Sequence, residues 1–346
     1  MLKKIKIFSV LIVLLCFSLS VSAQPKKVSA DVEALLGYYQ TEGGNIIIRE
    51  RGGRLELLYG VTEKDYAFDQ SNVYPLEKIR YNNYTLIIGN PREYRMGLDA
   101  KFERDKQGRG VTLIIDGKRY TRVFFLGENN NDFTVKAAKT LDELKQEALA
   151  APMPVQDSNL LTAQLVNILS LDATIKVDML YAKDKNFLNM KMYEEEKAFV
   201  DVEMGKALVQ VQKKLADFGY GLVVWDAYRP WYVTKMFHDA LPLEEKTLLE
   251  SPDKGSSHNR GLSVDVSLYD LNTGEPVMMI SDFDELSFRT FAKYQGGSEL
   301  ARWQRDLLRL FMENEGFTGV DHEWWHFDYK NFEQYRLLNT AFSEIK

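Results

Sequence analysis

The chain has 346 residues, with 44 Lys+Arg against 50 Asp+Glu, four His and one Cys; 45% of it is hydrophobic and 27% charged. These proportions suit a folded globular protein of about two domains and exclude a disordered, collagen-like or disulfide-stapled chain. One thiol excludes a zinc site built on two cysteines of the same chain, and a net charge of −6 argues against nucleic-acid binding.

Residues 1–23 read as a secretory signal peptide. Lys3, Lys4 and Lys6 form a basic start, the stretch from Phe8 to Leu19 is almost wholly apolar, and Val21-Ser22-Ala23 offers a small-residue cleavage site before Gln24. The alternative, a retained anchor, suffers from an apolar run short for a spanning helix. Cys16 follows Leu15, whereas a lipoprotein signal needs a small residue there. Cleavage removes lysines, no acid and the only cysteine, leaving a more acidic, thiol-free chain. The expectation is an exported, periplasmic protein with no stable membrane insertion after cleavage.

Residues 24–135 read as a small all-β domain, a sandwich or barrel. Asn45–Glu50 and Arg54–Tyr59 flank Gly52-Gly53, a hairpin signal. Further strands are expected at Tyr84–Ile88, Leu98–Glu103, Val111–Ile115 and Arg119–Phe125, with a turn at Gly117. Tyr38, Tyr39, Tyr59, Tyr66 and Tyr74 could form a sugar- or peptide-binding face, but strands are rich in such aromatics for packing reasons alone. Residues 136–165 read as a helical connector, with a helix over Ala137–Ala151 broken by Pro152 and Pro154.

Residues 166–346 mix helix and strand. Val202, Leu208, Val211, Leu215 and Phe218 share a helical stripe that Gly219 can end, and Gly221–Trp225 follows as a short apolar strand. The chemistry-bearing residues lie here. In Ser256-Ser257-His258-Asn259-Arg260-Gly261-Leu262-Ser263-Val264-Asp265, a loop runs into a strand whose alternation puts Asp265 and Ser267 on one face. An imidazole and a carboxylate converging there would suit zinc, given a third ligand. Asp321-His322-Glu323-Trp324-Trp325-His326-Phe327 can supply it. The run also reads as H-E-x-x-H, a helical zinc motif. Gly316, Gly319 and the aromatic residues favour a strand instead, which leaves His326 as ligand, Glu323 as base and His322 incidental. On a strand, Glu323 and His326 need a bulge or strand end to share a site. In Trp225-Asp226-Ala227-Tyr228-Arg229-Pro230, Arg229 either points into a cleft to stabilise an oxyanion or merely pairs with Asp226.

Taken together, S-x-H-x-x-G-x-S-x-D, E-x-W-H and the upstream Tyr228-Arg229-Pro230 resemble the zinc D-Ala-D-Ala dipeptidases of the vancomycin-resistance (VanX) type, within the D-Ala-D-Ala carboxypeptidase/dipeptidase family. The resemblance runs from about Ile175 to Tyr329, taking in Tyr181-Ala182, Asn186-Phe187, Thr273-Gly274-Glu275 and Gly316-Phe317, and leaves residues 24–165 uncovered. It implies an α+β fold in which the C-terminal domain has a central antiparallel sheet flanked by helices. It also implies one Zn2+ per chain on His258, Asp265 and His326, with water in the fourth position and Glu323 as general acid/base. Arg229 would face the oxyanion, Ser256 the substrate carboxylate, and Asp284 and Tyr181 the ammonium end. Asp282 rivals Asp284, because the family's M-G-T-x-F-D survives only as Met279-Ile280-Ser281-Asp282-Phe283-Asp284. Ser263 stands where the family often has Ala. The stretch between Pro230 and Ser256 is shorter than in the vancomycin-resistance enzymes, which would admit longer peptides. The expected substrate is D-Ala-D-Ala or a peptidoglycan-derived peptide. The alternatives are an exported D,D-carboxypeptidase acting on wall stem peptides and a non-catalytic wall-binding protein.

Overall fold

In the computed structural model, residues 24–60, 72–88, 96–126, 128, 134–242, 246 and 251–346 are described. Residues 1–23, Tyr66 and part of the stretch between Pro230 and Ser256 lie outside them. The chain divides into two units. One runs to Val123 and includes Gln295–Trp303; the other holds Phe124–Tyr294 and Gln304–Lys346.

The first unit contains a short helix, α1 (Ala30–Glu33), and eight strands: β1 (Gly37–Thr41), β2 (Gly44–Arg51), β3 (Arg54–Tyr59), β4 (Val73–Arg80), β5 (Asn83–Ile88), β6 (Met96–Arg104), β7 (Gly110–Ile115) and β8 (Lys118–Val123). Each strand pairs with the next, and β1 pairs antiparallel with β8, closing a barrel. The Gly52-Gly53 hairpin forms as expected: both glycines have positive φ, +58° and +79°, and Arg51 sits opposite Arg54. A two-residue turn with both φ positive matches the twist of the strands it joins. Ile48, Leu57, Phe102 and Leu113 fill the interior. Tyr39 and Tyr84 each meet Phe102 edge-on, at 6.0 and 5.5 Å between ring centres. Tyr39 and Tyr74 thus belong to the packing, while Tyr59 is exposed. Gln295–Trp303 joins this unit through Glu50, whose amide donates to Gly297 O (3.0 Å) and whose carbonyl accepts from Arg302 (2.8 Å).

In the second unit, α2 (Leu141–Ala150) is the connector helix. Thr140 caps it, with Glu143 reaching back to the Thr140 amide at 2.9 Å. β9 (Leu165–Asn167) pairs with β11 (Phe199–Asp201) as a two-stranded ribbon. The main sheet has five strands in the order β10 (Lys176–Val177), β12 (Tyr220–Asp226), β13 (Ser263–Asp270), β15 (His326–Tyr329) and β14 (Phe317–Gly319). It is antiparallel except at one edge, where the two residues of β10 run parallel to β12. The helices are α3 (Val202–Ala216), α4 (Trp231–Ala240) and, from Gln304 onward, α5 (Glu299–Asn314). Leu208, Val211 and Leu215 on α3 are fully buried, as the stripe predicts. The fold is therefore α+β as expected, with the all-β part a closed barrel.

Candidate metal centre

β13 and β15 build the centre. Asp265 lies directly opposite His326 in their antiparallel register. Directly opposed residues project to the same face with close Cβ atoms, and Asp265 Oδ1 stands 3.0 Å from His326 Nδ1. His258 arrives from the short 3₁₀ turn Ser257–Arg260, which Ser256 caps by accepting the His258 amide at 3.3 Å. That turn ends at Gly261, whose φ of +75° and proximity to Leu165 (a Cβ would sit 2.6 Å from Cδ2) demand glycine. His258 Nε2 then lies 3.2 Å from His326 Nδ1 and 3.5 Å from Asp265 Oδ1.

The proton positions follow from the neighbours. His258 Nδ1 is 2.7 Å from the Ala227 carbonyl, which can only accept, so Nδ1 carries the hydrogen. His326 Nε2 is 3.1 Å from an Asp328 carboxylate oxygen and donates to it. A neutral ring thereby presents its other nitrogen as a lone pair. With both rings neutral, two such lone pairs and a carboxylate oxygen converge, an arrangement that a metal cation satisfies. Tetrahedral zinc at about 2.0–2.1 Å from its ligands has ligand–ligand edges of about 3.3 Å; the three observed separations, 3.0, 3.2 and 3.5 Å, bracket that length. The donor set therefore fits zinc. It also fits a proton: burial opposes charge on His326, but Asp265 and Asp328 outweigh it and raise the pKa well above the usual imidazole value. Among the described residues these three are the group able to hold a metal ion.

His322 is not among them. Residues 321–325 are not helical. The His326 amide bonds to Glu323 O (3.3 Å), so Glu323–His326 is a turn that delivers the chain into β15. Glu323 and His326 share the site through this strand end, and His322 is 65% exposed at its margin. Trp324 and Trp325 are buried, and Trp325 also lines the cavity beside the site.

The other expected residues line the same cavity, of about 430 Å³: Tyr181, Arg229, Ser256, Asp284 and Glu323. A register shift between Val224 and Asp226 turns β12 so that Asp226 faces Asp265. Asp226 is fully buried and binds Arg229 Nε and Nη2 at 3.1 and 2.5 Å, while Tyr193 donates to its second oxygen at 2.6 Å. The pair with Asp226 is therefore present, and Arg229 so held also lines the cavity. Burial works against the Arg229 charge, but Asp226 more than compensates. Asp284 has a left-handed backbone (φ +57°) and accepts from the Tyr181 hydroxyl at 2.9 Å. Burial, with help from Glu323 and Asp265, raises its pKa to about 8 despite that bond. Asp282, the rival, is exposed. Burial likewise raises the Glu323 pKa above the usual carboxylate range.

The sequence reading missed Asp328 and Ser263, which lie opposite one another one step along the same face. Their spacing two residues from His326 and from Asp265 was the available signal.

Two imidazoles and a carboxylate around an open position, with a second carboxylate nearby, mark the class of metal-dependent hydrolases. The profile of a peptidase family described as D-ala-D-ala dipeptidase matches residues 161–345. The chain belongs to this family and is a peptidase. Among its relatives, the D-alanyl-D-alanine dipeptidase of Escherichia coli (strain K12) is 29% identical over 182 residues, 53% of this chain and 93% of that protein. The D-alanyl-D-alanine dipeptidase of Enterococcus faecium is 33% identical over 171 residues, 44% of this chain and 85% of that protein. A solved structure, VanYB in complex with D-alanine-D-alanine, is 15% identical with a TM-score of 0.24, covering 51% of this chain and 89% of that one.

Proposed function

We propose that the chain is an exported, zinc-dependent D-Ala-D-Ala dipeptidase. The observation that carries this reading is the convergence of His258 Nε2, Asp265 Oδ1 and His326 Nδ1, which would hold one zinc ion. Bound there, zinc would supply a Lewis acid and bring the pKa of water to about 7. Glu323 stands beside that position, and its raised pKa suits a group that must take up a proton and give it back. It takes the proton of the attacking water and returns it to the amine nitrogen as the C–N bond breaks. Arg229, aimed by Asp226, donates to the developing oxyanion. The Ser256 hydroxyl receives the substrate carboxylate. Asp284 and Tyr181 receive its ammonium group, whose charge favours the ionised form of a carboxyl that is otherwise held protonated.

The test is turnover of D-Ala-D-Ala and of a wall stem pentapeptide by the wild type and Glu323→Ala. The wild type is expected to cleave the dipeptide. The variant should keep its zinc and lose about 10²–10⁴ in kcat, the usual worth of acid–base catalysis. Cleavage of the pentapeptide alone would replace the dipeptidase with a D,D-carboxypeptidase. Unaltered turnover by Glu323→Ala would place the base elsewhere.

A further inference from the structure

We propose that Asp328, clamped by Ser263, is a positioning residue that holds the His326 ring with Nδ1 turned to the metal and strengthens it as a ligand. The inference rests on the reading of His258, Asp265 and His326 as a zinc site.

The geometry is a ladder across two strands. Ser263 opposes Asp328, and Asp265 opposes His326. Alternation puts all four side chains on one face. His326 therefore stands between two carboxylates, with Nδ1 at 3.0 Å from Asp265 and Nε2 at 3.1 Å from Asp328. Without a fixed partner at Nε2, the imidazole could carry its hydrogen on either nitrogen or rotate about χ2. With Asp328 in place, Nε2 keeps the hydrogen and Nδ1 keeps the lone pair.

Asp328 is itself fixed. The Ser263 hydroxyl donates to the oxygen that His326 also reaches. Ser263 is fully buried and the Asp328 side chain is 16% exposed, so water competes poorly for these bonds.

The two histidines are supported unequally. His258 Nδ1 donates to the neutral Ala227 carbonyl, with the Asp226 carboxylate no nearer than 3.9 Å, whereas His326 Nε2 donates directly to an anion at 3.1 Å. A carboxylate partner raises the basicity of the opposite nitrogen more than a carbonyl does, and losing such a partner typically costs 10–100-fold in metal affinity. The geometry thus assigns the larger share of outer support to His326. Its side chain is also the more open of the two, 11% against 4% exposed.

The experiment measures zinc dissociation constants by competition with a chromophoric chelator at fixed pH. It uses the full chain as wild type, Asp328→Asn and Ser263→Ala, with melting of each metal-free form alongside. Asp328→Asn keeps the shape and removes the charge. It should bind zinc about 10–100-fold more weakly, and its cobalt-substituted form should show a displaced d–d absorption band. Ser263→Ala should weaken zinc in the same direction by a smaller factor, and it decides the matter if Asp328→Asn does not fold. Zinc affinity within about twofold of the wild type overturns the proposal, whether or not metal-free melting falls, because Asp328 would then be part of the sheet and no more. Failure of the wild type to bind zinc would instead overturn the underlying reading of the site.

Discussion

His322 and His326 differ in role although both belong to an H-E-x-x-H string. Only His326 enters the sheet, opposite Asp265, while His322 stays exposed before the turn. His326→Ala should abolish stoichiometric zinc, and His322→Ala should retain it; metal content by atomic emission distinguishes the two. A second carboxyl shows what burial does without a metal. Glu285 is buried, takes hydrogen bonds from Ser287 and the Asp282 amide, and lies 3.4 Å from Arg289. Burial outweighs these partners and raises its pKa from 4.5 to about 7. A carboxyl with a raised folded pKa favours the native state while protonated. Its contribution is complete below the unfolded value and is lost as pH rises through about 7. The wild type should therefore lose stability between about pH 4.5 and 7, on the order of 3 kcal/mol, relative to Glu285→Gln. Denaturant melts of both proteins at several pH values measure it.

At the scale of elements, the turn that carries His258 depends on Gly261. Gly261→Ala combines a left-handed backbone with a clash against Leu165, so a loss above about 1 kcal/mol is expected in chemical denaturation, with weaker zinc binding as the turn shifts. What was legible in the sequence varied with how much each element depends on its own pattern. The β2–β3 hairpin was legible because two glycines specify its turn. β4 was not: Glu77, Lys78 and Arg80 face outward, and among its residues only Leu76 is buried. β10, a two-residue edge, carries no readable period and exists because β12 offers it backbone partners. The cluster of His258, Asp265 and His326 was legible residue by residue, since each motif keeps its spacing. How Glu323 and His326 meet was not, because it depends on a turn between them. Spacing puts Asp328 on the face of His326 and Ser263 on that of Asp265, but the register that sets the two against each other pairs segments more than sixty residues apart.

For the molecule as a whole, the family match does not reach the barrel strands. It covers residues 161–345, and the eight strands precede it. Among the described residues no helix is long and apolar enough to cross a membrane. Export is a proposal with a direct check: protein recovered from the periplasmic fraction should begin at Gln24 on N-terminal sequencing. Recovery of chains beginning at Met1 in the cytosol would sink it.

Closure of the barrel also limits how that unit can meet a partner. A sheet with free edges can recruit an extended peptide as an additional strand, held by backbone hydrogen bonds and largely indifferent to sequence. Here β1 and β8 pair with each other over Tyr38–Gln40 and Thr121–Val123, so among the described residues the ladder closes and neither strand is left as an open edge. A partner of the barrel would then be recognised mainly by side chains, at a mouth or on the outer wall, although the backbone of Glu50 on β2 already bonds Gly297 and Arg302 from outside the ladder.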